Sequence, residues 1–404
     1  MKSASKVSLS VTPNPALKLS VARELPLVSL AKKEPFAVLG AERQPSLVNC
    51  NITPSELSCF GPRGAALMSE NGPFWVCDTG HHRLLGWKTK PESDGIPADW
   101  IIGQPNFNLE GRNSKKEPSA STLNVPTGIC PCGSGMAVAD AWNNRILIWK
   151  EVPQGSHIPA DVVLGQNSFE AGQPNGQMGR GASRTSFHWP YGVACFDNQL
   201  FVADSENRRV LIWNSIPDKS QQPPDCVLGQ INFTERSENA GASPTSMSMR
   251  WPHSITIWQG NLCVTDAGNN RIMVWNGIPN TNGQACDFVL GQANMTDVDH
   301  NQSLYWPRSN TLNMPYAISS YGKWLIAADT ASSRLVAWSF EDLQTNASAT
   351  ALLGQPDFHE KGDNRWQSAC ADSICWPYGI QVMGDNLVVA DSGNNRVSIW
   401  KLKL

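Results

Sequence analysis

Six times along the chain one ten-residue pattern returns: an Asp, an Arg five residues later, and a Trp four residues beyond that. The copies start at Asp78, Asp140, Asp204, Asp266, Asp329 and Asp391 and end at Trp87, Trp149, Trp213, Trp275, Trp338 and Trp400, with Arg83, Arg145, Arg209, Arg271, Arg334 and Arg396 between. Successive copies lie 62 to 64 residues apart, and a fixed period of this kind marks an array of supersecondary units. Each copy reads as strand, polar turn, strand. In VVADSGNNRVSIW an apolar run precedes Asp391, the next four residues tolerate left-handed backbone, and Val397, Ile399 and Trp400 resume β-type composition. The Asp and Arg of each copy are expected to face each other across the turn as a structural ion pair, because charges beside apolar strands need partners.

Two further landmarks keep the same period. Before each Asp stands a Pro followed two places later by a small residue: Pro62 and Gly64, Pro126 and Gly128, Pro190 and Gly192, Pro252 and Ser254, Pro315 and Ala317, Pro377 and Gly379. The Pro fixes the entry to an innermost strand, and the small residue suits close backbone approach at a crowded axis. A Gly ending a short apolar run follows each of the first five Trp residues by 16 positions, at Gly103, Gly165, Gly229, Gly291 and Gly354. The sixth copy has only four residues after Trp400, whereas FAVLG at 36–40 is such a run without a unit. Pairing the two would close a circle and remove two exposed sheet edges. The expected fold is therefore all-β: a closed six-bladed β-propeller over residues 36–404, with four-stranded antiparallel blades, the last completed by an N-terminal strand. Residues 1–35 are expected to form a tail.

Taken together, Pro-x-Gly, an apolar hairpin and V-A-D-x-x-N-N-R-I-x-x-W resemble the NHL repeat over residues 36–404. That resemblance implies a six-bladed propeller. The chain departs from the usual family spacing in the 22 to 25 residues from each outer-strand Gly to the next Pro. A weaker, local likeness is that Pro252-His253-Ser254-Ile255 followed by LCVTDAGNNRI is similar to a blade of the peptidyl-amidoglycolate lyases, which implies zinc held by three His. Alternate blades offer Thr127 and Tyr378 in place of the other two imidazoles, so that site is not expected here.

Strand direction puts the long connections and the Asp-to-Arg turns at one end, the expected functional face. There the residue after each ring Pro should point around the channel mouth: Arg63, Thr127, Tyr191, His253, Tyr316 and Tyr378. Pure structural repetition would give identical residues, whereas these are a cation, a hydroxyl, an imidazole and three of the chain's five Tyr. A convergent polar set in a concavity is the default binding site; the alternative is a plug whose members bond one another. Trp142 and Trp366 are expected to meet a partner, and Trp189, Trp251 and Trp376 to wedge between blades.

A second candidate is metal. Cys50 and Cys59 precede the first blade and Cys370 and Cys375 the sixth, on neighbouring loops once the ring closes, where four thiols could hold zinc or another soft metal, form disulfides or act in redox chemistry. Eleven Cys, an odd number, argue against a disulfide framework, so Cys77, Cys130, Cys132, Cys195, Cys226, Cys263 and Cys286 are expected as core residues. A net charge of −3 gives no broad attraction for nucleic acid or an anionic membrane. No apolar run would span a bilayer. These features predict a cytoplasmic monomer: a non-catalytic binding propeller recognising a protein or small anionic ligand, with no cofactor assigned. The alternative is a lyase- or hydrolase-type enzyme using Arg63, His253 and the mouth tyrosines, with or without a metal.

Overall fold

The computed structural model describes residues 23–44 and 52–404. Six sheets surround one axis, each built from an inner strand, two middle strands and a short outer strand in antiparallel order. In blade two these are Pro126–Cys132, Gly135–Asp140, Arg145–Trp149 and Val162–Leu164. Blade six takes its outer strand from Ala37–Leu39, which pairs antiparallel with the last strand in the register Ala37↔Ile399, Val38↔Ser398, Leu39↔Val397. The circle is closed there. Across the seam to blade one, the Gln381 side-chain amide accepts from the Leu67 N–H and donates to the Leu67 carbonyl.

The tail is only partly a tail. Val28–Ser29 adds a fifth, parallel strand to blade five, in register with Ala351 and Leu352. Leu30 and Ala31 are buried with Ile326, Leu387 and Trp400, because an apolar pair at this point fills the crevice between blades five and six. The strap from Leu27 onward thus packs on the ring. Residues 1–22 lie outside the described residues.

Every Asp of the repeat sits opposite its Arg, and all six pairs are buried, with the Arg Nε donating to the carboxylate at 2.7–3.1 Å. The guanidinium does more than neutralise. Arg145 also donates Nη1 to the Phe169 carbonyl and Nη2 to the carbonyls of Ser119 and Thr122, and Arg209 repeats this with Phe233, Ser183 and Ser186. Each pair therefore pins the long connections on both sides of its blade, so those loops are a repeated part of the scaffold. Burial pushes the Asp140 and Asp204 carboxyls above the ordinary carboxylate range, against the pull of Arg145 and Arg209.

The inner strands approach closely. A Cβ on Gly192 would lie 2.0 Å from the His253 carbonyl oxygen and one on Gly64 2.2 Å from that of Thr127, which is why the second residue after the ring Pro is small. Hydroxyls stitch the blades at this level. Thr79 donates to the Pro126 carbonyl and Thr330 to that of Pro377, both at 2.7 Å, and Ser205 to that of Pro252 at 2.5 Å.

Candidate functional site

The residues after five of the ring Pro residues converge in one collar. His253 stacks on Tyr316, with ring centroids 4.3 Å apart and planes at 12°; Tyr191 packs against both, 4.2 Å from His253 and 5.9 Å from Tyr316. Tyr378 follows Tyr316 at 4.8 Å, and the Arg63 guanidinium closes the arc 4.7 Å over the Tyr378 ring and 5.9 Å over Tyr191. Thr127 takes no part, since its hydroxyl is buried and donates to the Tyr191 carbonyl at 2.7 Å. The collar narrows the channel. Above it opens a funnel of about 750 Å³ on the long-loop face, and below it a cavity of about 320 Å³ between the inner strands.

Collar members hold one another chiefly by ring contact. The Tyr191 hydroxyl is buried, with the Arg63 guanidinium as its polar neighbour. Among the described residues no carboxylate pairs with Arg63, and none can come from residues 1–22 or 45–51, which contain no Asp or Glu. The neighbouring Tyr191 raises the Arg63 pKa most, burial opposes the rise, and Tyr378 and Tyr316 add to it, so Arg63 carries its charge permanently.

Burial pushes His253 down to about 4, and the Arg63 charge acts in the same sense. Its Nδ1 donates to the Trp251 carbonyl at 2.9 Å, so the imidazole is neutral with Nε2 unprotonated. An unfolded His takes up its proton near 6.5, so between 6.5 and about 4 the unfolded chain binds more protons. Stability linked to His253 is full above that window and falls as pH drops through it, by about 3 kcal/mol in all. Urea unfolding of the protein and of His253→Phe at pH 7 and pH 4 checks this: the gap between the two should change by that amount, and a constant gap would mean the imidazole titrates as in water.

The funnel wall is aromatic. Phe60, Trp142, Trp189, Trp251 and Trp376 line it, and Trp142 and Trp376 are about half exposed. Trp189, Trp251 and Trp376 do not wedge between blades as the sequence suggests. The reason is local: Trp189 and Trp376 adopt φ of 54° and 49°, a conformation costly for bulky residues. It is held because the Asn144 side-chain oxygen accepts from the Trp189 N–H and Ser333 Oγ from that of Trp376. Blade three carries Arg208 at the position of Asn144, with no acceptor to offer. Trp251 accordingly lacks positive φ, sends its N–H to Asp266, and donates its indole N–H to Glu206. Trp366 is half exposed but lies against Gly362, away from the funnel.

The described thiols are engaged as follows. Cys50 lies outside the described residues. Cys59 stands one residue before the position whose N–H bonds the repeat Asp, equivalent to Leu123 and Phe187, and is a fully buried core residue. The Cys375 N–H bonds Asp391, as that of Asn124 bonds Asp140. Burial raises both thiols well above their ordinary pKa, which opposes the thiolate a metal needs. The Cys370 thiol is bonded to Asp372, and among the described residues no three His, Cys, Asp or Glu side chains are placed to hold a metal. Among the described residues His253 is the collar's sole imidazole. Cys132 and Cys195, expected as core thiols, form a disulfide with Cα atoms 5.3 Å apart.

Fold and collar define a six-bladed β-propeller with an aromatic funnel at one mouth. Residues 249–275, which span the ring Pro, the collar His253 and the fourth Asp–Arg pair, match the NHL repeat model, so the chain carries an NHL repeat. None of the curated proteins matches the chain in sequence. Similar solved structures include virginiamycin B lyase from Staphylococcus aureus, at 12% identity and TM-score 0.41 over 85% of this chain and 95% of that one. A Bacteroides thetaiotaomicron protein of unknown function is similar at 11% identity and TM-score 0.49, over 95% of this chain and 76% of that one. Likeness at this level carries no activity across. Among the described residues no helix is long and apolar enough to cross a membrane.

Proposed function

We propose that the chain is a non-catalytic binding propeller that takes a small anionic ligand at the channel mouth on its long-loop face. The observation that carries this reading is Arg63: a guanidinium held in an aromatic collar at the foot of the funnel, with no carboxylate paired to it among the described residues. Arg63 is only half-buried and opens on the funnel, so an anion seated above the collar would pair with it by charge-assisted hydrogen bonds. The enzyme reading rests on the unprotonated Nε2 of His253, but a nitrogen that gains its proton only near pH 4 is a weak base, and burial pushes the adjacent Tyr316 phenol up to about 12, so it is a weak acid. The Cys132–Cys195 bond favours an oxidising compartment over the cytoplasm.

Thermal unfolding with excess formate or benzoate tests the anion. The melting temperature of the protein should rise, by linkage of binding to the folded state, and that of Arg63→Met should not. An equal rise in both proteins would put the anion elsewhere and overturn the reading.

A further inference from the structure

We propose that the ligand is an aryl monocarboxylate, its carboxylate on Arg63 and its flat ring among the funnel tryptophans; this rests on the anion reading above. The charge argument comes first. Of the polar side chains lining the funnel, Ser205, Thr79 and Ser392 are already spent on Pro carbonyls, Asn395 accepts from the Gly61 N–H, His253 donates to the Trp251 carbonyl, and His82 accepts from the Val125 N–H. Burial, with the charge of Arg112 next, keeps His82 below its ordinary pKa. That leaves one cation, Arg63, with the phenols of Tyr191, Tyr316 and Tyr378. Among the described residues no Lys and no other Arg lines the funnel or the cavity below it. One guanidinium with adjacent O–H donors matches a carboxylate in charge and in its two-oxygen fork. A phosphate dianion would bring a second charge that nothing here neutralises.

The shape argument is independent. Four indoles and a phenyl surround the opening above that single cation, and the Trp189 indole N–H is buried without an acceptor. Aromatic walls at this density favour a planar apolar body, which they contact by stacking and edge-to-face packing. An aliphatic acid would meet the same cation and leave most of the wall wet.

Isothermal titration of the full chain with four probes separates these elements. Naphthalene-2-carboxylate should bind at least about tenfold more tightly than formate, which lacks the ring, and than naphthalene-2-carboxamide, which lacks the charge. It should also bind more tightly than 2-naphthyl phosphate. Trp142→Ala, at an exposed position, should narrow the gap to formate; Arg63→Met should abolish the gap to the amide. Formate and naphthoate binding equally would overturn the aryl class and leave the anion reading standing. Tightest binding by the phosphate would overturn the carboxylate. Failure of every anionic probe would bring down both readings. The probe comparison on the unaltered protein stands even if Arg63→Met does not fold.

Discussion

Replacing Arg271 by Met should lower the free energy of unfolding by roughly 3–5 kcal/mol, the cost of breaking a buried ion pair from one side. The Arg271 side chain donates to Asp266 at 3.1 Å, to the Met295 carbonyl at 2.6 Å, and to the carbonyls of Thr245 and Ser248 at 3.1 and 2.7 Å. Without it, Asp266 keeps its bonds to the Arg250 N–H and the Asn269 amide but loses its countercharge. Three loop carbonyls lose their donor. Asp266→Leu combined with Arg271→Met should cost less than Arg271→Met alone, because no charge is then left buried. Urea unfolding gives the energies; hydrogen exchange should show protection lost around residues 245–250 and 295–299 before other blades open. A cost under about 1 kcal/mol, the range of solvent-exposed pairs, would mean the ladder does not hold the loops.

The ladder also marks how far the sequence alone can be read. Its period, the ring Pro residues and the spare FAVLG run are local signals, and each led to the right element because every unit repeats one solution. The convergence was legible for the same reason: equal positions in a closed ring share an axis, which brings Arg63, Tyr191, His253, Tyr316 and Tyr378 together, while Thr127 is too short to reach the collar and bonds the Tyr191 carbonyl. What they do on meeting was not legible, because ring stacking and hydrogen bonding use the same side chains and differ only in tilt. The tryptophans before the ring Pro residues were misplaced because their direction depends on an acceptor in the preceding blade, 43 to 45 residues earlier. Cys59 and Cys375 suggested a metal when read as four thiols; aligned on the repeat, they occupy a core position and a turn position. The strap at 28–31 has no repeat equivalent, so no period could reveal it.

Removing the Cys132–Cys195 bond, by reduction or as Cys132→Ala with Cys195→Ala, should cost about 4 kcal/mol, the loop entropy of a cross-link closing 63 residues. The pairing follows from strand alternation. Cys132 stands six residues after its ring Pro and Cys195 five after its own, so the two side chains leave opposite faces of their sheets. In a ring, the face of blade two turned toward blade three and the face of blade three turned toward blade two have opposite parity. The core agrees: Cys132 and Ala137 from one blade pack with Val193 and Val202 from the next. An odd cysteine count hides such a pair, because counting ignores which faces meet. Urea unfolding with and without a reducing thiol should give the full difference in the unaltered chain and none in the double variant. Equal midpoints for oxidised and reduced protein, with mass measurement confirming the bond, would show that ring closure by Ala37–Leu39 already removes the entropy the cross-link acts on.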